Sequence, residues 1–190
     1  MRAAVQALDE VFQGIDRNAV NRILTSTAAD ASAAYATPLG NSGFQTPAEF
    51  AQAVLQRYQQ YIDEAYAALE PMVRNGTLRP PSGISRNTYL GRLVDRRARD
   101  RLREWLAFEE IAEGPLTIQV NRRLHDVVGS GAYRIPDIRI PGARVIIDGS
   151  LELKSTSTAQ VIDFNAFSGG DGIIIVRPTQ IGGAYGLVFP

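Results

Sequence analysis

No cysteine occurs in the 190 residues, which excludes disulfides, thiolate zinc sites and a cysteine nucleophile. Histidine is present once, as His125, and a lone histidine reads more simply as an exposed or satisfied side chain than as a general base. Lysine is equally scarce: the 20 basic residues are 19 Arg and one Lys, Lys154. No apolar run approaches the length of a membrane span. The opening stretch MRAAVQALDEVFQGIDRN puts acids where a signal peptide needs an uninterrupted apolar core. Export would therefore require another machine or a fused partner.

What is present reads as globular. Hydrophobic content of 45% and charged content of 21% fit a folded chain with a real core. The length suits one domain with an appendage, or two small ones. Net charge is zero, but it is unevenly spread: residues 81–190 hold 13 Arg, 1 Lys and 12 acids. Seven arginines fall within residues 86–103, against Asp95 and Asp100. A chain that uses Arg for every generic positive charge is expected to keep its one lysine where a guanidinium will not serve.

The first half reads as helical. Apolar residues recur at helical spacing over 2–28, and a loop of small residues follows, broken by Pro38, Gly40 and Gly43. Thr46, Pro47 and Glu49 form a helix start with a capping box, and that helix is expected to run to about Val73, before Asn75-Gly76. RPPSGIS (79–85) is a turn-rich linker, which divides the chain into a helical segment (1–85) and a second domain (86–190). A third helix is expected over about 87–112, with Leu90, Leu93, Val94, Ala98, Leu102, Trp105 and Leu106 as its apolar stripe. Short strands are then expected at 116–120, 133–140 and 143–154. A turn of helix is expected within 121–130, a short helix at 158–167, a fully covered strand at 172–178 and a last strand at 182–189. The fold class is α+β or α/β, with a mixed sheet in the order α-β-β-β-α-β plus one strand.

One constellation in this frame can hydrolyse a phosphodiester. Side chains alternate along a strand, so Glu152 and Lys154 would share a face, with Asp137 on the preceding strand beside Glu152. Two close carboxylates suit Mg²⁺ or Mn²⁺. Such an ion polarises a phosphate and acidifies a water, while an ammonium group orients that water and offsets developing charge. A lysine suits this task better than an arginine, which never releases its proton.

Pro136-Asp137 with Glu152-Leu153-Lys154 resembles the motif of the PD-(D/E)xK, or restriction-endonuclease-like, nucleases, and the element order is similar to their core. In that superfamily the helix before the sheet often carries Gly-x-x-x-acid, here Gly91 to Asp95, and Asp95 would join the metal site. Its RecB-like branches add a Gln on the helix after the Lys, here Gln160, with Phe164 where those relatives have Tyr. The resemblance covers about 87–178 and leaves 1–85 outside it. It implies catalytic roles for Asp137, Glu152, Lys154 and Gln160, and metal contacts from Asp137, Glu152 and Asp95.

Other readings of the same residues stand beside these. Asp148 competes for the second acid, although Asp-Gly between apolar residues signals a turn or bulge. Asp95 can pair with Arg99 one turn on. Ser157 and Gln160 also fit a capping box. Arg97 and Arg101, placed near the apolar side of their helix, would pair with an acid or bind phosphate along a cleft.

The C-terminal stretch is similar to toxin domains of bacterial polymorphic-toxin and secretion-system effectors. That similarity implies a DNase delivered into the cytoplasm of a target cell and a cognate immunity protein. A delivery or chaperone partner would then bind 1–85. The alternatives are an inactive nuclease-fold interaction module, a housekeeping repair or restriction nuclease, and an RNase on the same fold.

Overall fold

The computed structural model describes residues 15–16, 19–31 and 43–189. Of the helical stretch expected over 2–28, residues 2–14 lie outside them, as does most of the small-residue loop; Ile15–Asp16 is a strand instead, drawn into the sheet by pairing with Leu187 and Gly186, and 19–31 is helical. The elements are β1 (Ile15–Asp16), α1 (Ala19–Ala31), α2 (Pro47–Arg74), α3 (Arg86–Phe108), β2 (Gln119–Val120), β3 (Leu124–His125), β4 (Tyr133–Arg134), β5 (Ile138–Ile140), β6 (Val145–Gly149), α4 (Ala159–Ser168), β7 (Gly172–Val176) and β8 (Tyr185–Leu187). The fold is α+β: a six-stranded mixed sheet in the order β1-β8-β7-β6-β5-β2, with β3–β4 as a separate hairpin. β6 and β7 run parallel, and the other neighbours are antiparallel.

The helix starts follow their local chemistry. Thr46 accepts from the Glu49 amide at 3.1 Å and Glu49 accepts from the Thr46 amide at 3.2 Å, so the capping box of α2 is closed. Ser85 caps α3 by accepting from the Thr88 amide at 3.1 Å. The end of α3 departs from expectation, four residues before the expected 112. Glu110 takes a left-handed conformation (φ 57°), Ile111 N–H reaches the Leu106 carbonyl at 2.8 Å, and Glu110 N–H reaches that of Ala107 at 3.2 Å. This is a Schellman ending, usually made by Gly. Buried Ile111 and Leu106 accompany it, so packing supplies what glycine normally supplies.

The two faces of the sheet are covered differently. Val145, Ile147, Ile138, Ile140, Ile174 and Val176 point into a core shared with α1, α2 and α3. Ile146, Ile173 and Ile175 point to the other side, against Val161 and Phe164 of α4 and Leu124 of the hairpin. β7 is buried on both faces, as its unbroken apolar run predicts. α1 lies close over β7 and β8, where Gly172 and Gly186 leave room: an added Cβ would meet Ile23 at 2.3 Å and 2.8 Å respectively. One continuous cluster includes residues from both sides of the 85/86 division, among them Tyr58, Ile62, Leu90 and Val94.

Two strand expectations and one helical one are corrected. The expected strand 133–140 is divided at Ile135-Pro136, because proline cannot donate to a ladder. Its first half pairs with β3 and its second half enters the main sheet. The turn of helix expected within 121–130 is instead the β3–β4 hairpin, whose loop closes on the Asp126 carboxylate through the Gly129 and Ser130 amides at 2.8 and 3.0 Å. The strand expected over 143–154 is confined to Val145–Gly149.

Candidate functional site

After Gly149 the chain leaves the sheet, and side chains hold it in place of a ladder. Ser150 Oγ donates to the Glu152 carbonyl at 2.8 Å and accepts from the Glu152 amide at 3.1 Å. Tyr185 Oη accepts from the Lys154 amide at 2.7 Å and donates to the Lys154 carbonyl at 2.9 Å. Lys154 is thus clamped at its backbone by a tyrosine from β8. Glu152 and Lys154 therefore do not alternate on a strand beside Asp137. Glu152 is exposed, and among the described residues its carboxylate has no hydrogen-bond or ion-pair partner.

Asp137 sits at the start of β5, one residue before the pair Ile138–Ile147, at the sheet end where β6 finishes. It is 6% exposed. Its Oδ2 accepts from the Gly149 amide at 2.7 Å and from Tyr58 Oη at 3.2 Å, and its Oδ1 accepts from Arg99. The same Arg99 Nη1 bonds Asp95 Oδ2 at 2.5 Å, and the same Tyr58 Oη lies 3.0 Å from Asp95 Oδ1. α2 and α3 thus join two acids through one guanidinium and one phenol. The pairing of Asp95 with Arg99 expected from their spacing is present, and Asp137 shares it.

Burial, then the Asp137 charge, push the Asp95 carboxyl up to about 8, with Arg99 acting the other way. Burial, with Asp137 and Asp95 next, raises Tyr58 well above its ordinary value. Burial works against the charge on Arg99, but Asp137 and Asp95 more than offset it and raise its pKa. A phenol has one hydrogen to offer. Both contacts of Tyr58 Oη are filled at once only when one carboxyl is itself protonated, which agrees with the upward push on Asp95.

Asp148 occupies the other side of the strand end. It follows Ile146 by two residues and so faces α4, 3% exposed. Lys154 Nζ donates to Asp148 Oδ2 at 2.7 Å and to Gln160 Oε1 at 2.8 Å. Burial, then the Asp137 charge, push Asp148 up to about 6, and Lys154 opposes them. The Asp-Gly step is therefore not a turn. Asp148 is a strand residue paired with Ile175, and it is the acid that meets the lysine. Gln160 goes to Lys154 rather than to a cap: the N-cap of α4 is Thr158, which makes no side-chain cap bond.

A cleft of about 610 Å³ joins the two halves. Asp95, Gly149, Glu152, Lys154 and Gln160 line it, together with Arg92; Asp137 and Asp148 lie behind these. Gly149 is the hinge of the arrangement. A Cβ there would stand 2.9 Å from Tyr58 Oη, 3.1 Å from Asp137 Oδ2 and 3.1 Å from Ile62 Cδ1, so a side chain would press on the phenol and on the acid that the amide approaches.

Arg97 and Arg101 do not line the cleft. Both are exposed; Arg101 pairs with Glu104 at 3.6 Å and lies over the Tyr61 ring at 5.6 Å. The helical period explains this. Positions 88, 91, 92 and 95 share the cleft face of α3, and 97 and 101 turn away from it. His125 is exposed beside Tyr133. Tyr58, Arg99 and Tyr185 complete the site without having been singled out as parts of it.

Among the described residues no three His, Asp or Glu side chains stand together as a ready-made metal cage. Comparison with known proteins gives no match: no family model fits the chain, and no curated protein or solved structure is significantly similar to it.

Proposed function

We propose that this chain is a metal-dependent nuclease of the PD-(D/E)xK kind, hydrolysing phosphodiester bonds, in DNA first of all. The observation that carries the reading is the position of Lys154. The only lysine of the chain is held at a cleft wall by Asp148 and Gln160, in a cleft that Asp95 and Glu152 also line and behind which Asp137 is tied to the Gly149 amide.

The residues fit a divalent ion by charge and by donor type. Asp95, Asp137, Asp148 and Glu152 stand against three cations among the described residues of this region, Arg99, Lys154 and, on the cleft wall, Arg92, so full ionisation leaves one negative charge over. Burial first and the Asp137 charge second push Asp95 and Asp148 up, and a bound cation would offset the second of these. Carboxylate oxygens are the ligands Mg²⁺ and Mn²⁺ prefer. Asp137, Glu152 and Asp95 would hold the ion, with Asp148 as a further acid. When bound, it would polarise a phosphoryl oxygen and make a nearby water more acidic.

The rest falls to the chain itself. Lys154 offsets charge on the phosphate and orients the attacking water, Gln160 and the Tyr185 clamp fix its position, and Arg99 balances the acids behind the cleft. In the cell we place the protein as an antibacterial effector, delivered to the cytoplasm of a target cell and held in check by an immunity protein. This role rests on the sequence resemblance.

The test offers duplex DNA, single-stranded DNA and RNA with Mg²⁺, with Mn²⁺ and with EDTA. Metal-dependent cleavage that is lost in Lys154→Ala and Asp137→Ala supports the reading. Intact substrates in every lane, together with healthy cells at high cytoplasmic expression, would refute it. One observation favours a second reading, an inactive interaction module on the same fold: Arg99 already bridges Asp95 and Asp137. Calorimetric titration with Mn²⁺ separates the two, since an inactive module sealed by Arg99 takes up no ion.

A further inference from the structure

Resting on the nuclease reading, we propose that the β3–β4 hairpin is a second nucleic-acid contact, a rigid wing that grips the substrate strand beyond the cleft. Three observations carry it. The first is placement. Gln160 and Asp163 lie three residues apart on α4 and so share a face, about 5 Å apart along its axis. Gln160 holds Lys154, and Asp163 accepts from Arg134 Nε of the hairpin at 2.7 Å. The wing is thereby anchored one helical turn from the residue that holds Lys154.

The second observation is the chemistry of its outer face. Leu124 and Arg134 are opposite each other and turn toward α4, while His125 and Tyr133 form the next pair and face solvent. The Arg123 guanidinium lies 4.5 Å from the centre of the Tyr133 ring, and the His125 ring lies 5.9 Å from it on the neighbouring strand. An aromatic platform beside an arginine suits a base and its phosphate together. Among the described residues Arg122 and Arg123 have no ion-pair partner, so their charge is available.

The third is the tip. Val127 and Val128 are 73% and 89% exposed, yet strands of two residues cannot hold a hairpin rigid by themselves. The rigidity comes from elsewhere: from the Asp126 carboxylate gathering the Gly129 and Ser130 amides, from buried Leu124, and from the Arg134–Asp163 pair. The fold thus supports an apolar tip that contributes nothing to the core. Such a tip can wedge against bases.

The experiment measures binding of a fluorescent single strand and of a duplex by anisotropy, with Mg²⁺, in full-length Lys154→Ala protein so that the probe survives. Two further variants are made in that background. Arg123→Ala with Tyr133→Ala removes the platform, Val127→Ser with Val128→Ser changes the tip, and Arg134 is kept as anchor in both. The platform variant is expected to weaken binding about tenfold or more and to make the salt dependence shallower by about one ion. In otherwise wild-type protein the same change should raise KM and leave kcat near its original value. Tip and platform variants that bind both probes as tightly as the parent would overturn the wing and leave the nuclease reading standing. Wild-type protein that binds neither probe, measured in EDTA so that the probe survives, would overturn both.

Discussion

Gly149→Ala is the sharpest test of how the site is assembled, because it adds a single methyl group where α2, β5 and β6 converge. The new Cβ would lie 2.9 Å from Tyr58 Oη, 3.1 Å from Asp137 Oδ2 and 3.1 Å from Ile62 Cδ1. Ile62 can rotate its terminal methyl. Tyr58 is fully buried, and Asp137 is tied to Arg99, Tyr58 and the Gly149 amide, so neither can move without breaking bonds. Overpacking of this kind costs roughly 1–3 kcal/mol, while loss of glycine's unfolded-state entropy returns roughly 0.4–1 kcal/mol. The expected net destabilisation is about 1–2 kcal/mol in urea unfolding, or about 3–6 °C in Tm for a chain of this size. Tyr58→Phe removes the closest atom, so the double variant should be less destabilised than the two single losses added, by about 0.5 kcal/mol or more. Additive losses, or an alanine variant as stable as the parent, would show that the strand end and α2 are not in the contact described.

Three more outcomes follow from the same geometry. Asp95 and Asp148 keep their protons in the folded state up to about 8 and about 6, well after the unfolded chain has released them. The folded state therefore binds more protons between pH 4 and 8, and this contribution to stability should fade as pH rises through that window. In EDTA the Tm should drop from pH 5 to 8.5, and Asp95→Asn should flatten the upper part; a Tm that climbs would contradict the buried acids. Lys154→Ala leaves Asp148 buried without its cation, so its stability deficit in urea should grow from pH 5 to pH 8, whereas a deficit independent of pH would mean that Asp148 is not charged beside the lysine. Asp171, 4% exposed and paired with Arg139 at 2.9 Å, lies away from the cleft. Asp171→Ala should cost about 3 kcal/mol while leaving Mn²⁺ titration unchanged, and a matching loss of metal uptake would show that the two regions are coupled.

Elements whose signals are local were legible in the sequence. The α2 capping box, the apolar stripe of α3, the covered strand β7 and the helix after Lys154 depend on neighbours within a few residues, and all four are present. The failures are mainly non-local. The end of α3 is set by Ile111 packing beside Leu106 rather than by a glycine. Pro136 breaks 133–140 locally, but which strand each half pairs with is settled elsewhere in the chain. Tyr58 was invisible for the same reason. In a helix stripe a tyrosine looks like core, and only the crossing of α2 over the end of β6 turns its hydroxyl into a link between Asp95 and Asp137.

Asp148 shows how a local rule can mislead at a site. Asp-Gly reads as a turn when each residue is taken for its own preference. Here the two are neighbours in a strand because each is needed on a different face: Asp148 meets Lys154 on the α4 side, and the Gly149 amide meets Asp137 on the side of α2 and α3. Alternation along a strand separates adjacent residues by the thickness of the sheet, so two acid clusters can be held apart there and still open into one cleft at its edge. Glycine at 149 lets the second cluster close on the strand end without pressing on Tyr58, Asp137 or Ile62. The position of the lysine then follows from the acid it must neutralise, and the chain has to leave the ladder after Gly149 so that Lys154 can turn back to reach it.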